Sequence, residues 1–321
     1  MRKRVSSILD ASVVGGFSRV GWEVRSRMSG FGRPEDMDLS GRRIVVTGPT
    51  AGLGRETMRM LAAAGAGLVL VGRDGPRTED AAREARTLGD GGAEVVTADM
   101  GDLQAVAAAS QSILSSGRVD AVIHNAGALA KERTLSPQGH ETTVAVHVLG
   151  PFLMTRLLAD RIAQSSGRVV TVSSGGMYAA ALPDAGNGRT PEMPEGEWDG
   201  TRQYALAKRV QVALNEEWAR ERPDVWFAAM HPGWADTPGV KSSLPMFRAV
   251  TRPLLRTPRQ GADTIAWLAG TDPVPDGSGR FWCDREVRPV HRLPSTRAAD
   301  TSAHRRAVWD WCTACTDPFA G

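Results

Sequence analysis

Thr47-Gly48-Pro49-Thr50-Ala51-Gly52-Leu53-Gly54 follows the apolar run Ile44-Val45-Val46 and leads into a helical pattern. This succession predicts a strand, a glycine turn and the start of a helix. Glycine lets the backbone approach a ligand where a Cβ would collide, and a helix N-terminus offers free N–H groups and a positive dipole end to a phosphate. The stretch therefore predicts a site for a dinucleotide pyrophosphate, bound by Gly48, Thr50, Gly52, Leu53 and Gly54.

The spacing of these glycines, G-x-x-x-G-x-G, departs from the more general G-x-G-x-x-G fingerprint of dinucleotide-binding folds. Glycine-rich turns are common, so an ordinary βα turn without a ligand is the alternative. Agreement with motifs elsewhere in the chain has to decide between the two.

Beyond this turn, short apolar runs alternate with longer, alanine-rich amphipathic segments. Strands that alternate with helices imply right-handed crossovers and a parallel sheet covered on both faces. The predicted fold class is α/β: a doubly wound, Rossmann-type parallel sheet in three α/β/α layers, with ligands at the carboxyl ends of the strands. The predicted strands are 43–47, 68–71, 93–98, 119–124, 168–173 and 225–230.

Composition narrows the class of partner. The 321 residues suit one large α/β domain, and 41% hydrophobic with 23% charged residues is ordinary for a globular protein. The 39 basic and 36 acidic residues are interspersed, so we expect no nucleic-acid partner. The chain contains no secretory signal and three cysteines, an odd number, which together favour a reducing, cytoplasmic location. No uninterrupted apolar run reaches the length of about 18 residues that a membrane span needs.

We expect three parts: an amphipathic arm (1–40), a catalytic domain (41–290) and a C-terminal tail (291–321). The arm would pack on its own domain or on a partner subunit, or would lie as a basic helix on a membrane surface. Its predicted apolar face consists of Val13, Phe17, Val20, Val24 and Met28, and its basic end of Arg2, Lys3 and Arg4.

The tail contains Trp311-Cys312-Thr313-Ala314-Cys315, a spacing that suggests a zinc or thiol redox site. Zinc would need two further ligands, and His304 alone does not supply them. A thioredoxin-type site needs a preceding strand and a following helix. We therefore expect no metal and a tail that packs with Trp309.

Polar side chains after the second and third strands suit the adenosine half of a dinucleotide. Arg73 comes first after the second strand, where a guanidinium suits a 2′-phosphate, so we expect NADP, with NAD as the alternative because Asp74 follows directly. A surface arginine in a turn is the structural alternative. Asp99 can accept from the adenine amino group, or it can cap the helix that begins near Leu103.

Tyr204 and Lys208 lie at positions i and i+4 of a predicted helix, about 200–221, and leave the same face. The chain has only two tyrosines and four lysines, so a chance pair at this spacing is improbable. A nearby ammonium lowers the pKa of a phenol, and Tyr204 could then exchange a proton with a hydroxyl or carbonyl oxygen. Lys208 would also hold the nicotinamide ribose. Upstream, Ser173 or Ser174 offers a hydroxyl to the same oxygen.

Together these motifs resemble the short-chain dehydrogenase/reductase family over about residues 43–283. The motifs are the glycine turn, Asn125-Ala126-Gly127, Ser174, Tyr204-x-x-x-Lys208 and Pro232-Gly233-x-x-x-Thr237. The resemblance implies nicotinamide-dependent redox of a carbonyl or alcohol, with Ser174, Tyr204 and Lys208 as the catalytic group. It also implies cofactor contacts from Asn125, Gly127, Pro232, Gly233 and Thr237, the last of these holding the carboxamide, while Asn125 ties neighbouring strands together.

More narrowly, four stretches are similar to the subgroup called dehydrogenase/reductase SDR family member twelve. They are Ser173-Ser174-Gly175-Gly176-Met177, the segment 230–240, Gln260-Gly261-Ala262-Asp263-Thr264 and Ser278-Gly279-Arg280-Phe281. The resemblance does not supply the physiological substrate.

His147 departs from the family pattern, which has an asparagine before x-Leu-Gly. In the family that asparagine is thought to hold a water molecule in a proton relay from the lysine. An imidazole can donate, accept and titrate near neutrality, so His147 could take over the role as a fourth catalytic residue. A bulkier ring could instead displace the water and leave a dinucleotide-binding sensor or scaffold with weak turnover, or it could simply pack.

Two segments are expected to border the substrate. The 29 residues between Ser174 and Tyr204 predict a long ordered or lid-like loop. Residues 238–257 predict a mobile flap that excludes water, or else a helical segment at a subunit contact. The flap's Leu244, Met246, Phe247, Leu254 and Leu255, with Met177 and Trp234, would form an apolar pocket for a hydrophobic carbonyl or alcohol. A homo-oligomer is expected from the resemblance alone.

Overall fold

The computed structural model describes residues 9, 12–127, 129–184, 187–243, 245–273 and 277–321. Within them, eight strands form one sheet in the order β3-β2-β1-β4-β5-β6-β7-β8. Strands β1 to β7 are parallel, and β8 is antiparallel to β7. The order reverses between β1 and β4, so the doubly wound topology is confirmed, and its switch point lies beside the glycine turn. The strands are β1 (Arg43–Thr47), β2 (Gly67–Gly72), β3 (Ala93–Thr97), β4 (Ala121–His124), β5 (Arg168–Val172), β6 (Trp226–Met230), β7 (Arg280–Cys283) and β8 (Glu286–Val287).

The sequence analysis missed β7 and β8. The two strands are short and are joined by Asp284 and Arg285, which have φ values of 53° and 54°. Hairpins of this kind usually have Asn-Gly or Asp-Gly at the two positive-φ positions, and this motif makes them recognisable in a sequence. An Asp-Arg pair gives no such signal in the sequence.

Helices cover both faces of the sheet and bury two separate apolar cores. One core lies under α3, α4 and α10, and the other under α5, α6, α7 and α12. In β1, Val45 faces the second core while Ile44 and Val46 face the first, which explains the continuous apolar run. The helices are α1 (Val13–Phe17), α2 (Arg19–Ser29), α3 (Gly52–Ala63), α4 (Gly75–Arg86), α5 (Leu103–Ser115), α6 (Thr142–Gln164), α7 (Gly200–Glu221), α8 (Pro238–Ser243), α9 (Pro245–Thr251), α10 (Pro258–Gly270), α11 (Pro294–Ala298) and α12 (Ser302–Thr316).

The described part of the N-terminal arm packs on the rest of the chain. Phe17 is 4% exposed, and Arg25 forms a buried ion pair with Asp284. The predicted apolar face is only partly right, because Val20 is 52% exposed. The basic residues 2–4 and the side chain of Val13 lie outside the described part.

Helix α6 is long and apolar enough to meet a length and composition test for a membrane span. In the structure, 78% of its apolar 18-residue stretch is buried inside the protein. Its apolar residues, such as Phe152 and Leu158, belong to the second core. Such burial is what a core helix shows, so α6 by itself is weak support for a membrane span.

The C-terminal tail is mostly helical. Trp309 of α12 contacts Trp218 and Phe152, with ring centroids 4.6 and 5.1 Å apart. Cys312 points into the second core, whereas Cys315 is partly exposed and hydrogen-bonds to His140. The two thiols therefore have different surroundings, and within the described residues no cluster of three His, Cys, Asp or Glu side chains could hold a metal ion.

Candidate active site

The glycine turn packs tightly against the end of β4. Gly48 and Gly52 have φ values of 66° and 54°. A Cβ on Gly54 would lie 2.0 Å from the carbonyl oxygen of Gly48 and 2.4 Å from Nδ2 of Asn125. The same Nδ2 donates to the carbonyl oxygens of Thr47 and Gly48, at 3.0 Å each. Asn125 thus ties the turn to the neighbouring strand, and the close approach requires glycine.

The first turn of α3 keeps its backbone N–H groups available. Its N-cap residue is Ala51, which makes no side-chain capping hydrogen bond. Thr50 and Leu53 lie partly buried on either side of it. Uncapped N–H groups and the positive dipole end can bind an anionic group such as a pyrophosphate.

Arg73 and Asp74 have separate roles at the end of β2. Asp74 caps α4 by accepting from the backbone N–H of Arg77 at 3.1 Å. Arg73 is exposed and makes no ion pair with the described residues. The guanidinium, and not the carboxylate, is therefore the group available to a ligand here.

Asp99 does not cap the following helix, so that alternative is wrong. Asp102 is the N-cap of α5 and accepts from the backbone N–H groups of Gln104 and Ala105. Asp99 is exposed, and its Oδ1 accepts only a local bond from the N–H of Gly101, at 2.8 Å. Its other oxygen can accept from a ligand at the end of β3.

Ser174, Tyr204 and Lys208 come together where β5 ends against α7. The Ser174 hydroxyl lies close enough to the Tyr204 hydroxyl to lower the tyrosine's pKa, and Lys208 Nζ lies 5.5 Å from the Tyr204 ring centre. Ser173 is buried and donates instead to the carbonyl oxygen of Lys208, at 2.9 Å. Because side chains alternate along an extended chain, only Ser174 reaches the tyrosine.

The pKa values of Tyr204 and Lys208 in this arrangement differ from those that the sequence predicts. Burial raises the pKa of Tyr204, and the Ser174 hydrogen bond only partly offsets it. Burial also lowers the pKa of Lys208 to about 7, and its Nζ donates to the carbonyl oxygen of Val172 at 2.8 Å. The expected lowering of the tyrosine pKa by an ammonium is therefore wrong here, because the same burial that surrounds the tyrosine disfavours the lysine's charge.

His147 lies beside the same tyrosine. It sits in a π-helical turn, Ala145–Leu149, and is 1% exposed. Its ring meets the Tyr204 ring edge-on, with centroids 5.4 Å apart. A Cβ on Gly127 would lie 2.2 Å from Cε1 of His147, so the glycine makes room for the imidazole.

We therefore predict that Gly127→Ala will displace the His147 ring. Overpacking of this kind costs about 1–3 kcal/mol of unfolding free energy. In a His147→Ala background the same alanine should cost much less, because the space is free. Urea unfolding of the four proteins measures this coupling, and additive losses would show that the cost of the alanine does not come from a clash with the imidazole.

Pro232, Gly233 and Thr237 lie on the irregular segment after β6, opposite the glycine turn. A Cβ on Gly52 would lie 3.4 Å from Cβ of Thr237. Gly233 has a φ value of 72°. The structure thus brings Thr237 next to the glycine turn, at the carboxyl ends of the strands.

The two segments that the sequence analysis expects to border the substrate differ in their regularity. The described residues between 175 and 199 are irregular apart from short 3₁₀ turns, in line with the predicted ordered loop, and residues 200–203 already belong to α7. The segment 238–257 is largely helical, as α8, α9 and the 3₁₀ turn Arg252–Leu254. Arg248 of α9 pairs with Asp236 at 2.7 Å, and Met246 and Val250 are 82% and 80% exposed. Leu244 lies outside the described residues.

Met177 does not line a pocket, because it is fully buried in a small core cluster with Phe17 and Phe281. Trp234 packs at the edge of that cluster. The apolar pocket predicted from these residues is therefore wrong in part.

Three functional candidates had no signal that sequence reasoning could use. Gln211, one turn after Lys208, donates from Nε2 to the carbonyl oxygen of His147 at 2.7 Å. Arg256 and Phe17 contact the segment after β6 from distant parts of the chain. Only the fold brings these residues to the site, so no local motif marks them.

Comparisons with known proteins identify the family and agree with the fold. The family model described as short chain dehydrogenase matches residues 42–181. Dehydrogenase/reductase SDR family member 12 from Bos taurus is 36% identical over 280 residues, covering 86% of this chain and 87% of the relative. Family member 13 from the same organism is 35% identical over 283 residues, covering 85% of this chain and 72% of the relative.

Among solved structures, a 3-ketoacyl-(acyl-carrier-protein) reductase from Brucella melitensis, complexed with NADH, is similar. It has 26% identity and a TM-score of 0.60, and the match covers 76% of this chain and 96% of that one.

Proposed function

The chain belongs to the short-chain dehydrogenase/reductase family and is an oxidoreductase that uses a nicotinamide cofactor, and from this premise we propose that it prefers NADP and acts on an apolar carbonyl or alcohol through Ser174, Tyr204 and Lys208. The observation that carries the proposal is the contact of Tyr204 with Ser174, beside Lys208. A hydroxyl pair with a lysine at this point suits proton transfer to or from a substrate oxygen.

The residues present fit a dinucleotide. Glycine at positions 48 and 54 lets the turn pack against the end of β4, and the first turn of α3 has uncapped N–H groups that can bind a pyrophosphate. We assign Gly48, Thr50, Gly52, Leu53 and Gly54 to the pyrophosphate. Asp99 would accept from the adenine amino group. Asn125, Gly127, Pro232, Gly233 and Thr237 would border the nicotinamide half.

Each catalytic residue has a distinct proposed role. When bound, the cofactor supplies or accepts the hydride. Tyr204 transfers the proton at its hydroxyl, and Ser174 positions the substrate oxygen through its own hydroxyl. These two donors meet the charge that develops on that oxygen. Lys208 would hold the ribose and, when protonated, favour the ionised form of Tyr204.

The NADP preference rests on Arg73. We predict that Arg73→Ala weakens NADPH binding about tenfold to hundredfold and leaves NADH binding nearly unchanged, because a charge-assisted guanidinium–phosphate pair is lost. Arg83→Ala is the matched control, since Arg83 is exposed on α4, pairs only with Asp80 and carries the same charge. Fluorescence titration measures both affinities. Equal losses of affinity for NADPH and NADH would contradict the proposed preference for NADP.

The test of the function is a titration with NADPH and NADH, with turnover of a panel of apolar aldehydes, ketones and alcohols. Binding with turnover is the expected result. The second candidate, a dinucleotide-binding sensor, is favoured only by His147 and predicts tight binding without turnover, restored by His147→Asn. Failure to bind either cofactor would overturn both.

The location, assembly and membrane contact of the chain stay proposals. We propose a cytoplasmic enzyme that forms a homo-oligomer and makes a weak contact with the membrane surface through the first residues of the arm. Co-sedimentation with anionic vesicles, compared with a deletion of residues 1–11, tests that contact. Unchanged sedimentation would remove it.

A further inference from the structure

A fully buried ion triad joins the N-terminal arm to the core. Asp284 pairs with Arg25 of α2 at 2.6 Å and with Arg256 at 2.6 Å. All three side chains are 1–2% exposed. Three charges are costly to bury, so they need close pairing and further hydrogen bonds.

Arg256 finds those further bonds on two different segments. It donates to the carbonyl oxygens of Gly16 and Ser18 in the arm, at 3.1 and 3.2 Å. It also donates to the carbonyl oxygen of Pro232 at 3.1 Å. One guanidinium therefore links the arm to the start of the segment 232–237.

Direct contacts between the arm and this segment add to the link. The N–H of Trp234 donates to the carbonyl oxygen of Phe17 at 2.8 Å. The Phe17 ring meets His231, just before the segment, with centroids 4.4 Å apart. A Cβ on Gly175, next to Ser174, would lie 2.6 Å from Cε2 of the same ring. Phe17 thus lies between the two stretches that flank the catalytic group.

The position of Arg256 also explains a glycine that sequence reasoning assigned to the cofactor. A Cβ on Gly233 would lie 2.4 Å from Cζ of Arg256 and 2.6 Å from the carbonyl oxygen of Phe17. With a φ of 72° as well, this position tolerates only glycine. The backbone of the segment is thus shaped by the arm and by Arg256.

We propose that residues 16–25 of the arm are a positioning element of the active site, and that Arg256 is a positioning residue that fixes residues 232–237 for the nicotinamide half of the cofactor. The inference rests on the proposed function of that segment. The segment 232–237 belongs to no helix or extended strand, so its conformation depends on such contacts. A displacement on the ångström scale is enough to weaken binding and turnover strongly.

The test compares Arg256→Met and Phe17→Ala with a matched control, Arg285→Ala. Arg285 also forms a buried pair, with Asp263 at 2.6 Å, and donates to the carbonyl oxygen of Gly32, but no contact links it to residues 232–237. NADPH affinity, kcat and KM are measured together with hydrogen exchange of residues 232–240. We expect both test variants to bind NADPH about tenfold more weakly or worse and to exchange faster in this segment. The control should lose thermal stability alone.

The outcomes separate the inference from the proposed function. Test variants that are less stable but bind NADPH and exchange like the wild type would overturn the inference. If Arg256→Met does not fold, Phe17→Ala alone tests the inference. Phe17→Leu should then recover part of the NADPH affinity that Phe17→Ala loses. A wild-type protein that binds no nicotinamide cofactor would overturn the proposed function, and the exchange comparison would still decide whether the arm orders the segment.

Discussion

Tyr204→Phe is expected to reduce kcat about 10³-fold while cofactor affinity stays within a few-fold of the wild type. The change removes only the hydroxyl that Ser174 contacts, so the proton transfer loses its donor or acceptor. General acid–base catalysis contributes about 10²–10⁴-fold in enzymes, which sets the size of the effect. Steady-state turnover with the best substrate of the panel, and titration with NADPH, measure the two quantities.

Tyr178→Phe is the matched control, because Tyr178 is the only other tyrosine of the chain. Its hydroxyl donates to the carbonyl oxygen of Pro289 at 2.8 Å, not to any proposed catalytic residue. Losing this bond should cost about 1 kcal/mol of unfolding free energy and little turnover. If the two variants lose activity equally, Tyr204 has no special role in the chemistry.

The fold was predictable where one local pattern sufficed. Six of the strands and the helix that carries Tyr204 and Lys208 follow from apolar runs and amphipathic periodicity, and the boundaries agree within a few residues. Buried parallel strands are apolar on both faces, which makes them easy to find. The hairpin of β7 and β8 has no such pattern, since it depends on pairing with β6.

The site was predictable as a set of residue types but not in its electrostatics. Tyr204 and Lys208 stand out by spacing, yet the direction of their pKa shifts depends on burial, which a sequence does not state. The same holds for Arg256, whose five hydrogen-bond acceptor atoms lie on four residues from three separate stretches of the chain. Asp99 shows the converse. The sequence allowed Asp99 to be the N-cap of α5, but Asp102 is the N-cap because it lies directly before the helix.

Lys208→Met is expected to reduce kcat/KM strongly. It is also expected to raise the free energy of unfolding, and the gain should be larger at neutral pH than above neutral pH. Burial lowers the pKa of Lys208 to about 7 from its ordinary value of 10.5. Between these two values the unfolded chain binds more protons than the folded one, so the wild type gains stability as pH rises through this window. Below about pH 7 the buried lysine is charged in both states, and its burial costs the fold on the order of a few kcal/mol. Methionine has similar volume and no charge to bury.

The difference in unfolding free energy between Lys208→Met and wild type should therefore be largest at and below about pH 7 and should shrink by pH 9. Taking the difference removes the opposing contribution of His140, whose pKa is raised to about 9 by its hydrogen bonds to Cys315 and Glu192. The hydrogen bond to the Val172 carbonyl is lost in the variant at every pH, so it shifts the whole curve without changing its slope. A pH-independent difference would mean that Lys208 is not desolvated in the folded protein. An increase in stability paired with a loss of activity would show that this lysine is kept for chemistry and not for the fold.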